Sequence, residues 1–155
     1  MSVKQNTLKG EFSLKGKGLH TGKEVCATFK PAAENTGYKI VRVDLDEKTE
    51  IPALAKYIEL VDRASCLQKD GAKVSTLEHA MAALYGCGID NCVIELSGEE
   101  FPILDGSARY YVEEIQKVGI EEQQAERRYF SVKKKMEFYC EASDTRITLL
   151  PDDTY

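Results

Sequence analysis

The chain has 155 residues, 43% hydrophobic and 30% charged, enough for one domain with a real core, or for one domain plus the beginning of another. Its net charge of −5 disfavours unspecific nucleic-acid binding, and no apolar run nears the roughly 20 residues of a membrane span. No signal peptide is expected, since Met1-Ser2-Val3-Lys4-Gln5-Asn6 leads straight into strand-like sequence.

The first third reads as strands. Thr7–Leu14 and Glu24–Lys30 flank a segment, Lys15 to Gly22, whose glycines at 16, 18 and 22 demand turn or irregular backbone. Pro31 closes the second strand, and Asn35-Thr36-Gly37 turns into a third at Tyr38–Val43. Weaker strand patterns at Ile51–Ile58 and Ala64–Gln68 surround the acidic loop Asp44–Glu50. A helix is expected next. Val74, Leu77, Met81 and Leu84 recur at spacings of three and four, Ser75 and Glu78 form a capping-box pair, and Gly86 and Gly88 end it. Asn91–Leu96 then predicts a central, mostly apolar strand.

Pro102 to Ser107 is a strand-to-helix junction, where Asp105 or Ser107 caps a second helix over about Ser107–Val118. The stripe of that helix is Ala108, Tyr111, Val112, Ile115 and Val118, and Gly119 ends it. Ile120–Arg128 reads as a polar linker, and Tyr129–Cys140 with Thr145–Leu150 as a strand pair. A lone hairpin is only marginally stable, so this one is expected to open a second domain that is cut off. The coarse reading is α+β: a two-layer sandwich, mostly antiparallel sheet with two helices on one face, with domains at 1–126 and 127–155.

The chemistry is narrow. There is no dinucleotide fingerprint, P-loop, GxSxG or HExxH. Five cysteines, at 26, 66, 87, 92 and 140, form no CxxC pair, which argues for free thiols in a reducing cytoplasm. Cys87 and Cys92 suit small apolar positions better than a zinc knuckle. The basic residues Arg127-Arg128 and Lys133-Lys134-Lys135 read as a solvated strand end or as a phosphate-binding edge.

Only two histidines exist, His20 and His79. Glu78-His79 in a first helical turn can pair an imidazole metal ligand with a carboxylate that takes a proton from water. The same two residues can also be a capping glutamate and a partly exposed helix residue. His20, in a glycine-flanked loop, either faces a ligand or bonds nearby backbone. A catalytic zinc takes three protein ligands and keeps one open position, so this chain cannot complete a His-rich site alone.

Several segments in order over nearly all of residues 4–130 together resemble the UDP-3-O-acyl-N-acetylglucosamine deacetylase family of the bacterial lipid A pathway. They are Lys4-Gln5-Asn6-Thr7-Leu8-Lys9, Gly18-Leu19-His20-Thr21-Gly22, Pro31-Ala32 with Asn35-Thr36-Gly37, Val74-Ser75-Thr76-Leu77-Glu78-His79, Gly88-Ile89-Asp90-Asn91 and Phe101-Pro102-Ile103-Leu104-Asp105-Gly106-Ser107-Ala108. The resemblance implies two similar domains with the active site between them, and zinc-dependent release of acetate from the sugar's acetamide.

It further implies Glu78 as general base, its carboxylate leaning toward the domain interface, and His79 as first zinc ligand. The other two ligands belong to an HxxxD motif in a C-terminal domain that this chain lacks, together with the general-acid histidine and an oxyanion threonine. His20 matches a histidine of the family's active-site region. Arg63, Ala64 and Ser65 align with a strand lining the acyl and sugar site, where this sequence is one residue shorter than the commoner pattern. Asp105 matches an aspartate read as structural. The implied whole is a cytoplasmic enzyme meeting its substrate at the inner membrane surface, some members carrying an acyl-carrier-protein dehydratase downstream. This fragment alone is expected to be inactive. The competing reading is a non-catalytic nucleotide-sugar or protein binding module of the same fold.

Overall fold

The computed structural model describes residues 3–61 and 64–152. The chain opens with β1 (Lys4–Leu8) and β2 (Phe12–Lys17), so the single strand expected over Thr7–Leu14 is two. It breaks because the chain changes ladder around Gly10. It then runs through β3 (Glu24–Pro31), β4 (Tyr38–Arg42), β5 (Thr49–Pro52), a 3-10 turn at Ala55–Tyr57, β6 (Ile58–Val61), β7 (Ala64–Lys69) and β8 (Ala72–Ser75). There follow α1 (Glu78–Gly86), β9 (Cys92–Leu96), α2 (Arg109–Val118), β10 (Ile120–Glu126), β11 (Met136–Cys140) and β12 (Thr145–Leu149).

The main sheet has the order β2-β3-β9-β4-β5, antiparallel except where β4 runs parallel to β9. β9 is central, as its apolar run predicts. Side chains alternate along each strand, so Val25, Ala27 and Phe29 of β3 and Cys92, Ile94 and Leu96 of β9 are buried while their neighbours are not. The helices pack on this buried face. Phe29 stacks on Phe12 at 4.7 Å and meets the ring of Tyr111, from α2, edge-on at 5.7 Å. Ala80, Ala83 and Leu84 of α1 join the same core, and α1 lies against α2. Cys92 is fully buried and serves as a small apolar residue.

The expected helix start at Ser75 is corrected. Val74 and Ser75 belong to β8, because the Ser75 backbone bonds Glu99 O and Phe101 N and its hydroxyl bonds Glu99 O at 3.3 Å. The capping box therefore does not form: Leu77 is the N-cap, with no side-chain cap bond. At α2 the expected residues do organise the entry. Asp105 Oδ1 accepts from the N–H and hydroxyl of Ser107, whose Oγ accepts from Arg109 N–H. Gly119, at φ +84, ends that helix.

The polar stretch after Gly119 is β10 rather than a linker, antiparallel to β1 from Leu8↔Ile120 to Lys4↔Glu126. A buried amide network takes the place of an apolar stripe. Asn91, 1% exposed, donates to Gln5 Oε1 at 2.8 Å and Gln123 Oε1 at 2.7 Å and accepts from Gly37 N–H. This ties β1 and β10 to the start of β9. The late hairpin β11–β12 closes at Cys140↔Thr145, with Phe138, Tyr139, Ile147 and Leu149 exposed. Tyr129–Val132, expected as strand, forms none, and pairing begins only at Met136.

Asn91→Ala takes the partner from Gln123 Oε1 and from the Gly37 N–H and one of two donors from Gln5 Oε1, and is expected to lower stability by about 2–3 kcal/mol in urea unfolding. A loss under about 0.5 kcal/mol would show that the network closes without it.

Candidate active site

The site begins where β8 becomes α1. Thr76 takes φ +56, a left-handed backbone that costs a β-branched residue about 1–3 kcal/mol. Its N–H donates to Ser65 O at 3.1 Å. In return, Ser65 N–H donates to Glu78 Oε1 at 2.6 Å. Both backbone groups of Ser65 are thus tied to the entrance of α1, and the strained turn holds Glu78 and His79 in the first helical turn beside β7.

Of the expected substrate contacts, Ser65 is brought against Glu78. Ala64 opens β7, and Arg63 lies outside the described residues. A groove of about 760 Å³ starts here, lined mainly by Leu54, Ile58, Leu67, Leu77, Met81 and Tyr85, with Ser65 and Glu78 among its polar groups. Partial burial pushes the Glu78 carboxyl up, but its own N–H, the Ser65 N–H and hydroxyl, and the adjacent His79 outweigh this. The group therefore sits below the ordinary carboxylate range, ionised at neutral pH and fit to accept a proton rather than give one.

His79 is half-buried, and its ring makes no hydrogen bond among the described residues. One imidazole beside one carboxylate fits part of a metal centre. Among the described residues no three His, Cys, Asp or Glu side chains converge, whereas a catalytic zinc takes three protein ligands.

His20 is exposed, between β2 and β3, and makes no direct bond to Glu78 or His79. The structure instead connects it through a residue that sequence reasoning missed. Glu100, 2% exposed, accepts from the N–H groups of His20 and Thr21 and from the hydroxyl of Thr76. Burial opposes its ionisation, but these donors prevail and hold the carboxyl at about 2. Its one sequence signal was a carboxylate set directly against the apolar run Phe101-Pro102-Ile103-Leu104.

The basic cluster divides. Arg127 Nη2 donates to Gly88 O at 2.9 Å and to Asp90 Oδ2 at 2.8 Å, a structural pair that anchors the end of β10. Lys135 pairs with Glu137. Among the described residues no helix is long and apolar enough to cross a membrane.

Glu100 carries a pH signature. A carboxyl held at about 2 instead of 4.5 contributes about 3 kcal/mol that is fully present above about pH 5 and lost as pH falls toward 2. Glu100→Gln is expected to lower urea stability at pH 7 by about 2–4 kcal/mol and to flatten that acid loss. Parallel pH curves for parent and variant would contradict it.

A family model described as UDP-3-O-acyl N-acetylglycosamine deacetylase (LpxC) matches residues 5–155. The chain is 53% identical over 153 residues to a bifunctional enzyme LpxC/FabZ of Bacteroides thetaiotaomicron, covering 99% of this chain and 33% of that protein. It is 52% identical over 152 residues to a bifunctional enzyme LpxC/FabZ of Porphyromonas gingivalis, covering 98% and 33%. To the UDP-3-O-acyl-N-acetylglucosamine deacetylase of Hahella chejuensis it is 43% identical over 153 residues, covering 99% and 50%. The chain spans a third to a half of the length of these relatives. A family model that covers nearly the whole chain, with relatives 43–53% identical to it, shows that the chain belongs to the UDP-3-O-acyl N-acetylglycosamine deacetylase family.

Proposed function

We propose that this chain is the N-terminal part of a zinc-dependent hydrolase that removes the N-acetyl group of UDP-3-O-acyl-N-acetylglucosamine in lipid A biosynthesis. The observation that carries the reading is Glu78, held by Ser65 at an apolar groove and followed directly by His79 after the strained turn at Thr76, in a chain of this family. Residues 1–126 form the first domain, and 127–155 open a second, similar one. The five free thiols and the family membership support a cytoplasmic setting at the inner membrane surface.

His79 would offer one ring nitrogen to the zinc, and the other ligands would come from a C-terminal domain. Bound zinc supplies the Lewis acidity that makes water nucleophilic near neutral pH. Glu78 takes the proton from the attacking water as its oxygen bonds the acetamide carbon. The C–N bond then breaks, the sugar nitrogen leaves as the amine with a proton, and acetate is released. The Ser65 N–H holds the Glu78 carboxylate in place, and Ser65 borders the sugar and acyl chain. His20 is assigned a contact to the substrate on the family resemblance.

The test is acetate release from UDP-3-O-acyl-N-acetylglucosamine by the full reading frame with zinc supplied. His79→Ala and Glu78→Gln are each expected to reduce kcat by about a hundredfold or more, with circular dichroism unchanged. An active parent whose His79→Ala variant retains full activity removes His79 from the site. A parent that releases no acetate turns the reading to a nucleotide-sugar binding module of the same fold.

A further inference from the structure

Glu100 is a buried carboxylate that the chemistry at Glu78 and His79 leaves unused. Its Oε1 accepts from His20 N–H and from the Thr76 hydroxyl, each at 3.0 Å, and its Oε2 accepts from Thr21 N–H at 2.8 Å. Its backbone is bridged to Ser75, immediately before Thr76. Gly18 packs so closely on it that a Cβ there would stand 2.7 Å from the Glu100 Cδ, so a side chain at 18 would force the carboxylate aside.

Two loops therefore meet on one acceptor group. One presents His20; the other passes through the strained Thr76 into Glu78-His79. Among the described residues no hydrogen bond runs directly between these loops. Neither can shift without leaving a buried donor or a buried charge unpaired.

We propose that Glu100 is a positioning residue for the deacetylation, fixing where His20 stands relative to Glu78 and His79. The inference rests on the reading of those residues as the reacting group. Misplacement by about 1 Å at a reacting centre can cost about a hundredfold in rate, so a rigid buried tie between the loops has a direct catalytic consequence.

The experiment compares Thr76→Val with Thr76→Ser in the full reading frame. Valine keeps the branched shape and removes only the hydroxyl that reaches Glu100; serine restores that hydroxyl. Thr76→Val is expected to lower kcat about tenfold or more with KM within about twofold, and Thr76→Ser to recover kcat to within about threefold of the parent. Amide hydrogen exchange gives a second readout. Thr76→Val should quicken exchange at His20 and Thr21 about tenfold, although the substitution lies on the other loop. An active parent whose folded Thr76→Val variant keeps the parent kcat, or keeps the parent exchange at His20 and Thr21, overturns this inference alone. Equal loss in the valine and serine variants also overturns it, since the hydroxyl is then not what matters. An inactive parent overturns the deacetylase reading, and the positioning role with it.

Discussion

A chain leaving β8 has two residues, Thr76 and Leu77, in which to become α1, and it manages this only with Thr76 in left-handed backbone at φ +56. A β-branched residue does not hold that conformation without help. The help comes from Ser65, whose carbonyl takes the Thr76 N–H, and from Glu100, whose carboxylate takes the hydroxyl. The placement of Glu78 against Ser65 follows from this turn, as does the start of the helix one residue before His79. Strain concentrated at the entrance to a helix that bears the candidate chemistry is what preorganisation requires.

The rest of the fold gives this turn something rigid to lean on. Phe12, Phe29 and Tyr111 stack through the core, setting α2 against the sheet and α1 beside α2. The Asn91 network closes the opposite end by bonding β1 and β10 to the strand that leaves α1. Apolar packing supplies most of the stability there, while the buried polar groups select one register. The exposed apolar residues of β11 and β12 have no comparable cover among the described residues.

How much of this was legible in the sequence depends on what each residue faces. β3 and β9 were readable because alternating burial leaves an alternating or apolar pattern, and α2 because its stripe recurs at helical spacing. β10 was not, because its inward group is Gln123, whose amide substitutes for an apolar side chain. The capping-box pattern Ser75…Glu78 misled because the serine backbone was already engaged by Glu99 and Phe101, distant in sequence. For the site, spacing alone left Glu78-His79 open between a cap and a metal pair, and the family resemblance carried the choice. Glu100 was missed because two of its three donors are backbone N–H groups about 80 residues away, which leave no trace in side-chain pattern.

The central claim is that this chain holds one part of a divided metal site. Competition of zinc against a chromophoric chelator, run on residues 1–155 beside the full reading frame, tests it most directly. One tightly held zinc per full chain is expected, and none that survives the chelator on residues 1–155. A tight, stoichiometric zinc on residues 1–155 alone would contradict the division.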